Sequence, residues 1–442
     1  MSAEAPSVRD PGAPSTGTSV RDALVVAVAG LVANGLNLVV TIGLARLLPA
    51  RDHNAAYGAF LQMVGLYIVV SLPGSAIAIA VVRRSSWWLA HGGNAELEAW
   101  RRRASRRMVQ VLLGFAVLAA VVSPLVAQGL GGRSWLAVVI TSVAAGCWVA
   151  IAVERAFLQS CRRYTPLAAN FLLEGVARTA AVLAGAVVAG VTGAVLGILL
   201  AELVTWGHAW RAATRAVPDV TRSAPGTPPR GELGTDLAAS AVAFAMLALL
   251  QYVDVFVVGR LYPQGSGRYA AIAVVAKTLV YVAIVLSYYL LPEASIGHRA
   301  GHHARRQLGV VLALYAVPCG VLLLVAAVAP RRLLSLIYPA HLLGASGSLA
   351  VLVAAMAMLG LSFLLATYLL ARGLRAVAGW LVVCTALAYW WVATAHGAWH
   401  ATAVHDLVAQ LVVAGGLVLA TLAALATRRD ERVPDPVAEP AP

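Results

Sequence analysis

Long apolar runs constrain the fold of this chain more than any other feature of its sequence. Each run spans about 20 to 27 residues and, at a rise of about 1.5 Å per residue, is long enough for a helix to cross a hydrocarbon core of roughly 30 Å. Hydrophobic residues make up 60% of the chain and charged residues 12%, whereas about a quarter of residues are charged in soluble domains. Barrel strands would be shorter and alternating, so we predict an all-α integral membrane protein.

The runs define twelve predicted spans in two bundles of six. Their approximate bounds are 23–47, 57–82, 108–128, 135–156, 167–189, 193–213, 236–261, 269–293, 308–328, 346–371, 376–396 and 404–426. The N-terminal bundle covers 23–213 and the C-terminal bundle 236–426. A Pro- and Gly-rich linker at 214–235 joins them, and the polar ends at 1–22 and 427–442 are predicted to be disordered tails.

The arginines predict the orientation in the membrane, because positive residues in short loops are retained in the cytoplasm. With both termini inside, about two dozen of the 33 basic residues lie in inner loops and about seven outside. We therefore expect a multi-pass protein of a bacterial cytoplasmic membrane with both termini cytoplasmic. The net charge of +14 belongs mainly to this loop bias. It can attract the anionic head groups of membrane lipids, and it requires no nucleic-acid partner.

A short internal repeat supports two equivalent bundles. The motif "RLLP" begins at Arg46 and "RLYP" begins at Arg260, and each is followed by a tyrosine, Tyr57 or Tyr269. The arginines are 214 residues apart and the tyrosines 212. An even-numbered repeat keeps its membrane orientation, so the bundles should be related by a pseudo-two-fold axis near the membrane normal, around a central cavity.

The chain resembles a known transporter family from about residue 23 to 426. The resemblance rests on the motifs "ARLLP", "YGAF", "VDVFVVG", "YAA", "LLPEAS", "LLSLIY" and "ATYLLARG". These look like the Wzx-type polysaccharide flippases of the multidrug/oligosaccharidyl-lipid/polysaccharide exporter superfamily. Related lipid II flippases have two further spans, and the related multidrug exporters also have twelve.

The resemblance implies that the chain flips a polyprenyl-diphosphate-linked oligosaccharide from the inner to the outer leaflet. It also implies polysaccharide polymerase and glycosyltransferase partners of the same pathway. We expect neither an enzyme nor a cofactor, although H⁺ or Na⁺ could couple to transport. Two alternatives stay open: a cation-coupled multidrug antiporter, and a membrane scaffold without transport activity.

Spans seven and eight carry charges at matching depth. Asp254 lies about seven residues from the outer end of its span and Lys277 about eight from the outer end of the next. Each would cost about 2.5 to 3.5 kcal/mol if it faced lipid, so they should face each other or the cavity. Gln251 shares a face with Asp254. One interpretation is a structural ion pair; the other makes Lys277 a cavity cation for the diphosphate, with Asp254 setting its charge or titrating.

Span five carries a second charged motif. Glu174 precedes Arg178 by four residues, the favourable order for a pair on one helix. Arg178 lies near mid-membrane, and a guanidinium can donate two hydrogen bonds to phosphate oxygens. We predict that Arg178 either binds the diphosphate of the substrate or forms a self-contained ion pair with Glu174.

Four further polar residues are weaker candidates. Asn34 and Asn37 share a face of the first span, where they would line the cavity or hydrogen-bond another helix. Glu154 and Glu202 lie inside spans four and six, and either could bind a proton or a sodium ion.

Overall fold

A computed structural model describes residues 16–48, 53–90, 93–216, 233–296 and 301–426. Most of the predicted linker and all of the predicted C-terminal tail lie outside these ranges, as does the N-terminal tail up to residue 15. Within them the chain is almost entirely helical and contains no strand, so the all-α prediction is confirmed.

Thirteen α-helices are present in the described ranges. They are α1 Thr16–Leu47, α2 His53–Ser71, α3 Gly74–Ala90, α4 Asn94–Gly129, α5 Trp135–Ser160, α6 Tyr164–Thr214, α7 Leu233–Leu261, α8 Ser266–Ile296, α9 Gly301–Val328, α10 Pro330–Ile337, α11 Leu349–Ala371, α12 Ala376–Ala393 and α13 Trp399–Ala426. A 3₁₀ turn, Pro263–Gly265, precedes α8, and a 3₁₀ segment, Ala340–Ser348, precedes α11.

Helix α6 is a hairpin that crosses the membrane twice. Its backbone leaves helical geometry at Ala189 and Gly190, where Gly190 has a φ of 55°. The two halves then run side by side, with Gly185 against Gly193. The α2 and α3 helices form one bent crossing around Pro73. With α6 counted twice, the long apolar helices of the described ranges give twelve crossings, as predicted.

Several helices extend beyond the apolar runs. Helix α1 begins at Thr16, so residues 16–22, which we placed in the tail, are helical. Helix α4 begins at Asn94, about four turns before the predicted span. Its extra turns are rich in Arg and Ala, which have high helix propensity and need no apolar surroundings.

The helices form two lobes of matching topology, which we call the N lobe (α1–α6) and the C lobe (α7–α13). Arg46 and Arg260 lie in the last turns of α1 and α7, and Tyr57 and Tyr269 are both fully buried near the starts of α2 and α8. Helices α5 and α11 also end alike, with positive φ at Arg162 and Gly373. The repeat seen in the sequence is therefore a structural repeat.

The lobes close on each other at the end of the bundle that holds the α7–α8 connection, which we call the sealed end. There α2 packs against the C lobe through glycines: Gly58 lies against Ser266, and Gly65 against the ring of Tyr252. The Tyr57 hydroxyl donates to that of Tyr338 at 3.3 Å. Burial raises the pKa of Tyr338 to about 12, so this hydroxyl stays protonated at neutral pH.

A polar latch also joins the lobes at the sealed end. Arg133, between α4 and α5, donates from Nε to Gln62 Oε1 at 2.7 Å and from Nη2 to the Gly259 carbonyl of the C lobe at 3.3 Å. Gln62 Nε2 in turn donates to the Leu130 carbonyl at 3.3 Å and the Phe256 carbonyl at 3.5 Å. Burial lowers the pKa of the Arg133 guanidinium from its ordinary value, although arginine remains charged.

The lobes approach each other again towards the opposite end, which carries the arginine-rich α3–α4 and α5–α6 connections. They enclose a cavity of about 10 Å³ lined by Leu72, Ser75, Phe244, Ile284 and Phe363, room for about one water molecule. A larger molecule could not occupy this cavity in the present conformation.

We expect Gly193→Val to destabilise the N lobe by about 2 kcal/mol, because a Cβ at Gly193 would overlap the Gly185 backbone across the α6 hairpin. Denaturant unfolding in mild detergent measures this. Gly114→Val on α4 is the control, since nothing lies within 4 Å of a Cβ there. Equal stability of the two variants would contradict the close packing of the hairpin.

We expect Arg133→Gln to open the sealed end, because it removes the charge-assisted bonds that Arg133 donates to Gln62 of the N lobe and to Gly259 of the C lobe. Such a bond is worth about 1.5–3 kcal/mol, so the opening equilibrium should shift by roughly tenfold or more. Spin labels at Trp135→Cys and Leu336→Cys, both exposed positions, in a background lacking the native cysteines, report the distance between the lobes. Arg331→Gln, an exposed site on α10, is the control. An unchanged distance distribution would remove the latch role.

Candidate functional site: charge networks between the lobes

A network of buried charges surrounds Arg178 in the N lobe. The Arg178 Nη2 group donates to Glu174 on the same helix half, to Glu202 on the second half of α6, and to the Tyr67 hydroxyl of α2 at 3.0 Å. Tyr67 donates to Glu202 Oε1 at 2.8 Å. Glu202 is fully buried. The expected pair of Glu174 and Arg178 is therefore present, within a larger network.

A second arginine completes the N-lobe network. Arg155 of α5 donates from Nη2 to Glu174 Oε2 at 2.6 Å and from Nε to Asn170 Oδ1 at 2.7 Å. Its guanidinium also lies 4.1 Å from the ring centre of Phe171. With two arginines and two glutamates, the network has no formal net charge, which limits the cost of placing it inside the membrane.

The C lobe holds a more deeply buried pair. Lys277 Nζ donates to both oxygens of Asp254, at 3.0 and 2.9 Å, and the Tyr269 hydroxyl donates to Asp254 Oδ2 at 3.1 Å. Lys277 also lies over the ring of Tyr252, 5.3 Å from its centre. Asp254 and Lys277 are only 0% and 1% exposed, so they face each other and are closed off from the surface between the lobes in this conformation.

A second carboxyl, Asp406 of α13, lies beside this pair. Asp406 is fully buried and close enough to Asp254 and Lys277 to interact with both electrostatically. Its Oδ1 accepts from Gln410 Nε2 at 3.1 Å, whereas Oδ2 has no hydrogen-bond partner among the described residues. The C-lobe cluster therefore contains two carboxylates for one cation.

Arg178 and Tyr281 mark where the two lobes face each other at mid-membrane. The Arg178 guanidinium is 14% exposed and acts electrostatically on the Tyr281 hydroxyl of α8. Tyr281 is 40% exposed and its hydroxyl contacts that of Tyr252 at 3.0 Å. Val285, one turn further along α8, is also exposed. Arg178 thus lies close enough to the C lobe for its charge to act on a side chain there.

The remaining predicted residues lie in different surroundings. Asn37 accepts from Arg178 Nη1 at 3.4 Å, whereas Asn34 is exposed on α1. Gln251 is fully buried, and its amide has no hydrogen-bond partner among the described groups. Glu154 lies at the junction of α4 and α5, where it accepts from Ser105 at 2.7 Å, and so belongs to neither network.

Sequence reasoning missed three members of these networks. Asp406 carried a usable signal, since it is an acidic residue inside an apolar run. Arg155 lies at the end of predicted span four, where an arginine can reach the membrane surface and so gives no distinct signal. Tyr67 carried no signal, because a tyrosine in an apolar helix is ordinary. In the described ranges, no three His, Cys, Asp or Glu side chains form a group that could hold a metal ion.

Comparisons with known proteins match the fold but not the sequence. No protein-family model matches the chain, and no curated protein matches it by sequence. An inward-facing multidrug resistance MATE family transporter of the MOP superfamily matches with a TM-score of 0.63 at 13% identity, covering 90% of this chain and 96% of that one.

Two other solved structures extend the comparison. The lipid II flippase MurJ in an inward closed conformation matches with a TM-score of 0.61 at 13% identity, covering 93% of this chain and 94% of that one. A MOP superfamily transporter from Pyrococcus furiosus, described as having reversed polarity of its binding pocket, gives 0.58 at 14%, covering 94% and 99%. This chain therefore has the two-lobed, pseudo-symmetric fold that these transporters share. The finer resemblance to Wzx-type flippases stays a prediction.

We expect Lys277→Met to destabilise the C lobe by about 3 kcal/mol or more, because it leaves Asp254 charged and buried without its cation. The double variant Asp254→Asn/Lys277→Met should recover most of that stability, since neither charge then remains. Unfolding in detergent measures both. If the single variant is as stable as the wild type, the pair does not hold α7 to α8.

Proposed function

We propose that this protein moves a polyprenyl-diphosphate-linked oligosaccharide across the cytoplasmic membrane of a bacterium by alternating access. The observation that carries the proposal is the position of Arg178, a mid-membrane guanidinium at the surface where the two lobes face each other. The fold shared with MATE transporters and with the flippase MurJ supports transport as the class of function. The diphosphate is the part of the substrate that Arg178 would bind.

Arg178 has the chemistry to exchange partners. Two carboxylates and a tyrosine hydroxyl crowd around its Nη2, while its Nε donates to none of the described residues. A diphosphate offers several charged acceptors in a geometry that suits a guanidinium fork. An incoming diphosphate would therefore compete with Glu174 and Glu202 for Arg178, and those glutamates would reclaim it when the substrate leaves.

Alternating access would use two contacts between the lobes: the Arg133 latch at the sealed end and the contact around the small apolar cavity at the opposite end. We place the arginine-rich end in the cytoplasm, following the bias of basic residues, so the sealed end faces outward. A substrate from the inner leaflet then enters where the lobes enclose the small apolar cavity, while the Arg133 latch keeps the outer side closed. Release requires the latch to break and the inner contact to form again.

The C-lobe cluster would serve coupling in this account. Lys277 is paired with Asp254 and shielded from the cleft, so a direct role in binding diphosphate requires the pair to open. Asp406 has an unpaired oxygen beside it and could take up H⁺ or Na⁺ during the cycle. The remaining candidates, Asn34, Asn37, Gln251 and Glu154, would bind or position substrate or ions only in other conformations.

A cation-coupled multidrug antiporter is the second candidate function. The specific observation in its favour is the excess of carboxylates in the C lobe, where Asp254 and Asp406 surround one lysine. Cationic drugs are attracted by negative sites, whereas a lipid diphosphate is attracted by positive ones. The neutral N-lobe network with its partly exposed arginine favours the anionic substrate.

Leaflet translocation of a labelled polyprenyl-diphosphate sugar in proteoliposomes tests the proposal. We expect wild-type protein to flip the lipid and Arg178→Ala to reduce the rate by at least roughly tenfold, since a charged hydrogen bond is worth about 1.5–3 kcal/mol. Lys277→Ala tests the C-lobe cation in the same assay.

Insertion must be matched between variants, and Arg331→Ala, an exposed arginine on α10, is the control for charge. Drug-driven proton or sodium exchange without flipping would favour the antiporter. If wild type and Arg178→Ala both show neither flipping nor exchange, the result would favour a scaffold without transport activity.

A further inference from the structure

A basic groove runs along the N lobe, separate from the cleft between the lobes. It measures about 640 Å³ and lies between the first turns of α4 and the second half of α6. Arg101, Arg102 and Arg106 line one wall, and Trp206 and Trp210 line the other. This size is within the range of sites that hold small molecules.

The groove lies on a different side of α6 from the N-lobe charge network. Glu202 is fully buried in that network, whereas the next residue, Leu203, is 45% exposed and lines the groove. Residues of the groove therefore do not contact Arg178. A ligand could occupy it without entering the transport path.

The charges along the groove favour an anion. Glu98 accepts from Arg101 at 2.8 and 3.0 Å and from Arg102 at 2.7 Å, so one carboxylate is shared by two guanidiniums. Arg106 forms no ion pair with any described residue. Glu154 lies behind Ser105 and interacts with Arg101 at longer range. The wall facing the groove therefore keeps a local excess of positive charge.

Arg101 supplies an independent sign that a ligand is expected. It is only 3% exposed, yet its Nη1 has no hydrogen-bond partner among the described residues. A buried charged donor without a partner is unfavourable, because it has lost its water and gained no acceptor. A bound anion would satisfy this guanidinium and reduce that cost.

The surroundings of the groove indicate an amphipathic ligand. Val109 of α4 and Leu203 of α6 are exposed on either side of it, on surfaces that face lipid. Tryptophans such as Trp206 and Trp210 are favoured at the boundary between hydrocarbon and head groups. Acyl chains can therefore follow the apolar helix surfaces while a head group lies among the arginines.

We propose that this groove binds an anionic phospholipid of the surrounding bilayer, with its phosphate held by Arg101, Arg102 and Arg106 and its head group against Trp206 and Trp210. Basic pockets between transmembrane helices are suited to such head groups. A bound lipid would also join α4 to the second half of α6, two segments that the groove separates. The inference does not depend on what the protein transports.

Helix α4 offers a matched pair of variants. Arg102 and Arg106 line the groove, whereas Arg103 and Arg107 are equally exposed, lie one residue further along the same helix and do not line it. The double variants Arg102→Gln/Arg106→Gln and Arg103→Gln/Arg107→Gln therefore remove the same charge from the same region. Arg101 is left intact because it is buried and donates twice to Glu98, whereas Arg102 is exposed and donates once.

The test is native mass spectrometry of delipidated full-length protein titrated with phosphatidylglycerol or with phosphatidylcholine. We expect wild type and the Arg103/Arg107 variant to retain phosphatidylglycerol, and the Arg102/Arg106 variant to bind it roughly tenfold more weakly or worse. Phosphatidylcholine should bind much more weakly to all three proteins. Thermal unfolding in detergent checks that all three are folded to the same extent.

Equal retention of phosphatidylglycerol by both double variants would overturn the proposal, because binding would then follow total charge and not the groove. Equal binding of phosphatidylcholine would also overturn it. Since the readout is lipid binding, a failure here is distinguishable from a failure of leaflet translocation. Translocation can be absent in a protein that still holds the phospholipid.

Discussion

The cost of placing charge inside a membrane governs this structure. A charged side chain facing lipid at mid-membrane costs about 2.5–3.5 kcal/mol on insertion scales, and the chain places a dozen helices there. The cations deep within the described helices are paired: Arg155 and Arg178 with Glu174, and Lys277 with Asp254. Two of these pairs connect consecutive helices, α5 to α6 and α7 to α8, so the same contacts that neutralise charge also fix how neighbouring helices pack within each lobe.

The two lobes handle this constraint differently despite their matching topology. In the N lobe the charges form a balanced network whose outer member, Arg178, is partly exposed towards the other lobe. In the C lobe the ion pair is sealed, and the extra carboxyl of Asp406 has no cation of its own. Under the proposed function, this asymmetry would divide the roles, with anion binding in the N lobe and ion coupling in the C lobe. A repeated fold can acquire such asymmetry through side chains alone.

The helices and the repeat could be predicted from the sequence because each leaves a local signal, and the two ion pairs were each one of the alternatives that the sequence left open. Apolar run length gives the crossings, and the pairing of Glu174 with Arg178 follows from a spacing of four residues. The pairing of Asp254 with Lys277 followed from equal depth in consecutive helices. The contact of Glu202 with Arg178 depends on how the α6 hairpin folds back, and that of Asp406 with the C-lobe pair depends on packing of α13. Neither spacing nor depth encodes such contacts, which is why the full networks appear only in three dimensions.

The proposed function requires that a lipid diphosphate compete with Glu174 and Glu202 for Arg178. The most direct measurement is the affinity of a short-chain isoprenyl diphosphate for purified protein, compared between wild type and Glu202→Gln. Removing one competing carboxylate should tighten binding by severalfold, because Arg178 is then less compensated. An unchanged or weaker affinity in a correctly folded Glu202→Gln variant would contradict the claim, and Arg178 would then be a structural cation of the N lobe.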